Sequence, residues 1–391
     1  MMTVPITENE TTAGNTLGGC SLSVLAPGDE SSFEQIRPAW EAMLSGRSNP
    51  YLLYQSPLWW DHMISTGGAD STAIVTFQRS ESVSGIVPVR TVVRRLDFPG
   101  LPFLNPGYPL RALEILGSEP LVSQEEGVYP RLLSFLGETF PSVDAIFLKC
   151  LLEDGDFWSY LRTLDSDEWI AYWERDFERL HGIELPESFE AYNRRFSHKK
   201  RYNLNRQVRL LREHCSGNMK LLRVESPQQV DDFVRDARAV SGRSWQFKRN
   251  VPQNIDAETK ARELADLSRR GILRSYLLMC GDQPGAYVIG YQYRGVYHYS
   301  DVAYDEDLAR FSPGSVLLYR LIEDLIEHHR PGHVNLGVGD ADYKSQFANQ
   351  QANYISLLLL RKSPVNRMLM IAHRTYRRIG IRLKSILRGR R

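Results

Sequence analysis

The sequence predicts an α/β protein in which one arrangement, a mixed and mostly antiparallel sheet flanked by helices, is used twice and followed by a basic amphipathic helix. Three observations carry this expectation. Alternating apolar runs bounded by Gly, Pro and Ser turns occur in both halves, each followed by a helical pattern and one more strand, the order β-β-β-α-β. A chain of 391 residues with 42% hydrophobic and 10% aromatic content is long for a single core. From 364 onward, apolar residues recur at alternating spacings of four and three among arginines and lysines.

Taken in order, residues 1–20 are polar and predict a disordered start, without the basic segment and apolar run of an export signal. The longest aliphatic run, 355–360, is too short to cross a bilayer, so the expectation is a soluble cytoplasmic protein. Helices are predicted over 33–44 and 57–65. Strands follow over 72–77 and 85–95 around a Ser/Glu turn, then the proline-rich FPGLPFLNPGYPL, a helix over 129–138 and a strand over 143–149. A boundary near 182–186 gives domains over 21–183 and 184–363. The second half predicts helices over 194–214, 228–240 and 257–270, the last ended by Gly271. Its strands fall at 273–280, 286–293 and 296–303, its central helix at 313–328, and its next strand at 334–336.

A formal net charge of +1 conceals segregation. Eight Lys/Arg and no acid lie in 192–212, eleven and no acid in 361–391, and the remainder carries 29 basic against 47 acidic residues. A helix over 194–214 without carboxylate partners one turn away is expected to find anions on the acidic body or on a ligand. Cys20, Cys150, Cys215 and Cys280 follow no paired spacing, which predicts neither a disulfide nor a zinc site. His328, His329 and His333 straddle Arg330-Pro331-Gly332, so no metal helix is expected. Gly337-x-Gly339 lacks the rest of a phosphate loop, and no Gly-x-Ser-x-Gly elbow is present.

Chemistry concentrates late in the chain. Ser312-Pro313-Gly314-Ser315 offers a capping serine, a proline suited to the first helical position and a glycine permitting close approach. Backbone N–H groups at that helix start suit an acyl-CoA pyrophosphate, with Arg310, Ser312, Gly314 and Ser315 as its contacts. Tyr343 and Lys344, after a glycine-rich turn, are candidates for fixing an anionic acceptor, with Lys199, Lys200 and Arg201. His298, Asp301 and Asp305, on or just after a strand, are the candidates for proton handling.

YQSPLWWDHM, FSHKKRYNLNRQVRLLRE, AYDEDLARFSPGSVLLYRLIEDLIE and NLGVGDADYKSQFA, in that order, make the chain resemble the FemAB-like, or CelD (BioF2-like), branch of the GNAT acyltransferase superfamily. The resemblance covers about residues 51–360. It implies tandem GNAT-like domains, with the acyl-donor site in the second. It further implies transfer from acyl-CoA to an amine or hydroxyl of a sugar, glycolipid or polysaccharide precursor in envelope or exopolysaccharide assembly. The donor-loop frame 309–314 keeps only the last glycine of the usual Q/R-x-x-G-x-G/A pattern. Two alternatives therefore stand: aminoacyl transfer from tRNA to a peptidoglycan precursor, and a noncatalytic binding protein on the same fold. In the final segment, Val365, Leu369, Ala372, Tyr376, Ile379, Leu383 and Ile386 draw one apolar stripe. It is expected to dock on the body, on a second subunit, or peripherally on an anionic membrane face.

Overall fold

Two sets of β-branched and aromatic runs each close around their own core, so the chain divides into one unit of residues 1–177 with 353–391 and a second of 178–352. The structure, a computed structural model, describes residues 2–3, 5–6, 14–17, 20–47, 49–80, 82–98, 107–123, 125–174, 176–248, 257–339 and 341–388, with side chains described up to 379 in the last segment. Most of the expected disordered start, much of the proline-rich stretch and Asp340 lie outside the described residues.

The first unit's sheet runs, in spatial order, Cys20–Leu25, Thr72–Arg79, Ser82–Leu96, Tyr108–Ile115 and Ala145–Leu152, and closes on Gln350–Arg361. All neighbours are antiparallel except Tyr108–Ile115 with Ala145–Leu152, which the helix Val128–Thr139 connects as a crossover. The third strand was expected only implicitly, because its start, Tyr108-Pro109-Leu110, belongs to the proline-rich stretch. Two helices cover this sheet. Asp29 caps Glu30–Ser45 by accepting from the Ser32 N–H at 3.1 Å, and Ser56 caps Pro57–Met63 by accepting from Trp59 at 3.1 Å. Phe33 and Trp60 stack between them with centroids 5.1 Å apart.

In the second unit the elements are β1 (Glu178–Glu184), α1 (Phe189–Arg194), α2 (His198–His214), β2 (Met219–Val224), α3 (Val230–Arg243), α4 (Ala257–Arg269), β3 (Ser275–Cys280), β4 (Gln283–Tyr293), β5 (Val296–Tyr304), α5 (Pro313–Asp324), β6 (His333–Val338) and α6 (Asp342–Phe347). Sheet order is β2-β3-β4-β5-β6-β1, with β5 and β6 parallel and the rest antiparallel. Arg294 and Gly295, both at positive φ (44° and 76°), form the two-residue hairpin that registers Tyr293 with Val296. α5 buries Leu317, Leu318, Leu321 and Ile322 against this sheet.

Three expectations are corrected here. The helix predicted over 194–214 is two helices, because Ser197 is extended (ψ 156°) and its hydroxyl accepts from the Lys200 N–H at 3.2 Å, starting α2 afresh at His198. Its basic residues are not wholly without carboxylate partners. Arg194 pairs with Glu190 and Arg209 with Glu213, both just outside the acid-free window. Cys215 and Cys280 form a disulfide with Cα atoms 4.9 Å apart. They are 65 residues apart in sequence, but β2 and β3 pair Met219 with Cys280, which brings the end of α2 to the end of β3.

The chain after 352 returns to the first unit. Helix Pro364–Arg388 packs there on a face rotated from the expected stripe, with which it shares Leu369 and Tyr376. Leu369 and Met370 meet the cluster of Val92, Leu96, Tyr172 and Leu358, and Asn366 and His373 are buried beside them. His373 donates through Nε2 to the Asp97 carbonyl at 2.9 Å and accepts from the Tyr172 hydroxyl. Tyr376 donates to the Phe98 carbonyl at 3.0 Å. Val365, Ala372 and Ile379 face outward, while Leu383 and Ile386 lie beyond the described side chains. Hydropathy periodicity misses the rotation because Asn366 and His373, two anchors of the docked face, are polar.

Candidate active site

β5 and β6 begin as an ordinary parallel pair: Val296 with His333, Tyr297 with Val334, His298 with Asn335. The pairing then stops, although β5 continues to Tyr304 and β6 to Val338. A local cause is visible in β6. Asn335 Oδ1 accepts from the Gly337 N–H at 2.8 Å, and Gly337 takes φ +76°, a conformation glycine adopts without strain. The two strands diverge, and the β5 segment 299–304 is left without β6 as its neighbour. Such an opening exposes backbone donors and acceptors to a ligand.

Past β5, a 3-10 turn Glu306–Phe311 leads to Ser312 at φ 55° and then α5. Ser312 does not cap α5 with its side chain as expected, because the left-handed backbone turns the hydroxyl away from the helix N–H groups. Its Oγ accepts instead from Gln207 Nε2 of α2 at 3.2 Å. Gly314 and Ser315 remain first-turn residues whose N–H groups have no carbonyl one turn back. A Cβ on Gly314 would meet only the Tyr304 ring, at 3.4 Å. Arg310 is exposed, its guanidinium 4.6 Å above the Phe311 ring.

The other side of the site is α6. Lys344 Nζ donates to the Val338 carbonyl at the end of β6, at 2.7 Å, and burial holds its pKa below that of an ordinary lysine, against a smaller opposing effect of Glu178. Tyr343 lies beside Tyr299, the first β5 residue past the paired section, with ring centroids 6.3 Å apart. Burial pushes the Tyr343 phenol up to about 12, so it stays protonated at neutral pH. Lys200 donates to Gln346 Oε1 and sits over the Phe347 ring, and burial lowers its pKa too. Arg201 donates to the Phe196 carbonyl at 2.9 Å, while Lys199 is exposed.

One helix therefore touches both sides. Lys200 and Gln207 are seven residues apart on α2, which places them on one face, about 10 Å apart along the axis. Leu204 and Leu211 anchor that face in the core. Gln207, Asn335 and Gln346 were missed in the sequence because isolated amides carry no periodic or spacing signal.

The proton-handling candidates are dispersed in role. His298 is buried at the branching point, and burial, with a smaller effect of His333, lowers its pKa to about 3. It is a neutral ring at pH 7 and a poor proton acceptor. Asp305 accepts from Arg243 Nε and from the Asp307 N–H at 3.0 Å, which commits its carboxylate to bracing the turn before α5. Asp301 is exposed on β5. Among the described residues no cluster of three His, Cys, Asp or Glu could hold a metal.

Residues 198–345, which include both sides of this opening, match the acetyltransferase (GNAT) domain family. This segment is a GNAT acyltransferase domain. FemX resembles the chain with a TM-score of 0.59 at 12% identity, the match covering 85% of this chain and 98% of FemX. A C-terminal domain (DUF2156) of a protein assigned as a lysylphosphatidylglycerol synthetase, from Agrobacterium fabrum, gives 0.51 at 12% identity, covering 88% and 96%. These likenesses are of fold, and they extend over both units. No curated protein matches the chain. The interrupted β5–β6 pair and the start of α5 form one side of the opening, and α6 with the first turn of α2 forms the other.

Proposed function

We propose that the protein moves an acyl group from acyl-CoA to an amine or hydroxyl of a sugar, glycolipid or polysaccharide precursor, in the cytoplasm with peripheral access to the inner membrane face. The observation that carries this is the β5 segment that β6 leaves uncovered on one edge, leading into a helix start with Gly314 and Ser315 at its first turn. In this reading the donor's amide-bearing arm pairs with the free edge of β5, and its pyrophosphate lies on the Gly314 and Ser315 N–H groups with Arg310 alongside. A β5 N–H polarises the thioester carbonyl. The acceptor's lone pair forms the new C–N or C–O bond, the C–S bond breaks, and the leaving thiolate is hydrogen-bonded by the Tyr343 hydroxyl and takes its proton from water. The acceptor's proton leaves through Asp301 or water, the exposed route. Lys344, with Lys199, Lys200 and Arg201, holds an anionic group of the acceptor.

Calorimetry with acetyl-CoA tests the donor. Saturable binding that is lost in Gly314→Glu supports the reading, and no binding at millimolar acetyl-CoA refutes it. A second reading, aminoacyl transfer from tRNA to a peptidoglycan precursor, draws on the exposed face of α2, where Lys199, Arg206 and Arg212 point to solvent. Salt-sensitive tRNA binding without acetyl-CoA binding would favour it. Neither ligand binding would favour a noncatalytic role.

A further inference from the structure

The C-terminal helix presents three sectors when its positions are set at 100° per residue. One sector, with Asn366, Leu369, Met370, His373 and Tyr376, is turned to the protein and satisfied by Tyr172, Asp97 and Phe98. A second holds Arg367, Arg374 and Arg378, all exposed. The third holds Val365, Met368, Ile371 and Ile379, which are 58%, 71%, 60% and 53% exposed. A helix that already has a buried face has no folding reason to carry a second apolar one, and four large aliphatic side chains in open water are a cost unless something covers them.

We propose that this outward face is a docking surface for an anionic lipid bilayer, with Met368, Ile371, Val365 and Ile379 entering the headgroup boundary and the arginine sector lying against lipid phosphates. Charge selects the occupant. No acid occurs between 361 and 391, so two copies meeting through this face would oppose arginine to arginine, whereas an anionic surface neutralises them. The helix lies in the interface plane in this arrangement. Among the described residues no helix is long and apolar enough to cross a membrane. The proposal rests on the peripheral placement above and supplies its physical means. Because it is measured with neither donor nor acceptor present, its failure leaves acyl transfer untouched, and failure of acyl transfer leaves it standing.

The test uses the full chain sedimented with phosphatidylcholine vesicles, with or without phosphatidylglycerol. Binding about ten-fold tighter to phosphatidylglycerol vesicles, weakened by salt, is expected. Arg367→Gln with Arg378→Gln should cost roughly five-fold per residue on those vesicles. Met368→Asp with Ile371→Asp should cost about ten-fold or more, with the thermal melt unchanged because both side chains point to solvent. Equal partitioning into both vesicle types overturns the proposal, as does indifference to the aspartate pair. A dimer in sedimentation velocity that the aspartate pair dissolves also overturns it, by showing that a second copy is the occupant.

Discussion

In the first unit the parallel pair runs from Ala112 with Ala145 to Ile115 with Leu148 and so reaches the last residue of its central strand, whereas in the second unit it stops three residues into β5. Both units are otherwise wired alike: an antiparallel meander, a crossover helix, a parallel strand, and a closing antiparallel strand from elsewhere in the chain. Their helix starts differ too. Glu125 and Glu126 immediately precede Val128–Thr139, with Glu125 paired to Arg79 at 2.9 Å, while α5 opens on Pro313, Gly314 and Ser315 after Arg310. Of the two units, only the second combines an interrupted parallel pair with a helix that opens on Pro313, Gly314 and Ser315.

The comparison is broken most directly at Gly314. A glutamate there clashes with no packed atom beyond the Tyr304 ring but brings a carboxylate to the proposed pyrophosphate position. We expect a loss of kcat/KM of about a thousand-fold, near 4 kcal/mol, at unchanged melting temperature. The corresponding change in the first unit, Glu126→Gln, should leave steady-state kinetics at wild-type values. If both variants behave alike, the two units are not functionally distinct.

Next in size is the disulfide. Closing a 65-residue separation, Cys215–Cys280 is expected to contribute about 4 kcal/mol to the second unit in the chain-entropy account. Hydrogen exchange read peptide by peptide, with and without reductant, should show loosening around α2 and β3. The first unit should be unaffected, since its Cys20 and Cys150 form no disulfide. Uniform loosening of both units would contradict this.

Acid should also separate the units. A histidine whose folded pKa lies near 3 and whose unfolded pKa is near 6.5 binds fewer protons folded than unfolded between those values. Stability is therefore fully present above about pH 6.5 and falls as pH drops. At pH 5 the loss attributable to His298 is about 2 kcal/mol. His298→Gln should flatten the acid limb of a melting-temperature profile, and an unchanged limb would move the effect to His329 and His333, both also lowered by burial.

The smallest effect is expected at Lys344. Its amine is fixed to the Val338 carbonyl, and Lys344→Ala should raise the acceptor KM about ten-fold, near 1.4 kcal/mol, with the donor KM unchanged. Wild-type transfer and wild-type acceptor KM would return this lysine to a structural role.

Much of the architecture was legible because it is local. The Arg294-Gly295 turn, the apolar period of α5 and the end of α4 just before Gly271 each follow from residues within a turn of one another. The helix start at residues 312–314 was legible as a position but not as a geometry, since the Ser312 hydroxyl accepts from Gln207, 105 residues away. Cys215 with Cys280, Arg243 with Asp305 and His373 with Asp97 were hidden for the same reason. Sequence spacing carries no record of pairings that exist only once strands have registered. The interruption of β5–β6 pairing is of this kind, as it depends on how Asn335 folds back on Gly337.

The closing strand of the first unit has a temporal consequence. Ala145–Leu152 is paired along one side by the segment Tyr354–Leu360, which leaves the ribosome only after the whole second unit has been made. At about 5–20 residues per second, the roughly 200 intervening residues keep that apolar edge waiting for about 10–40 s. Nascent chains must therefore carry an unsealed sheet margin while the second unit is being made, which is when an exposed strand edge is most vulnerable to mispairing.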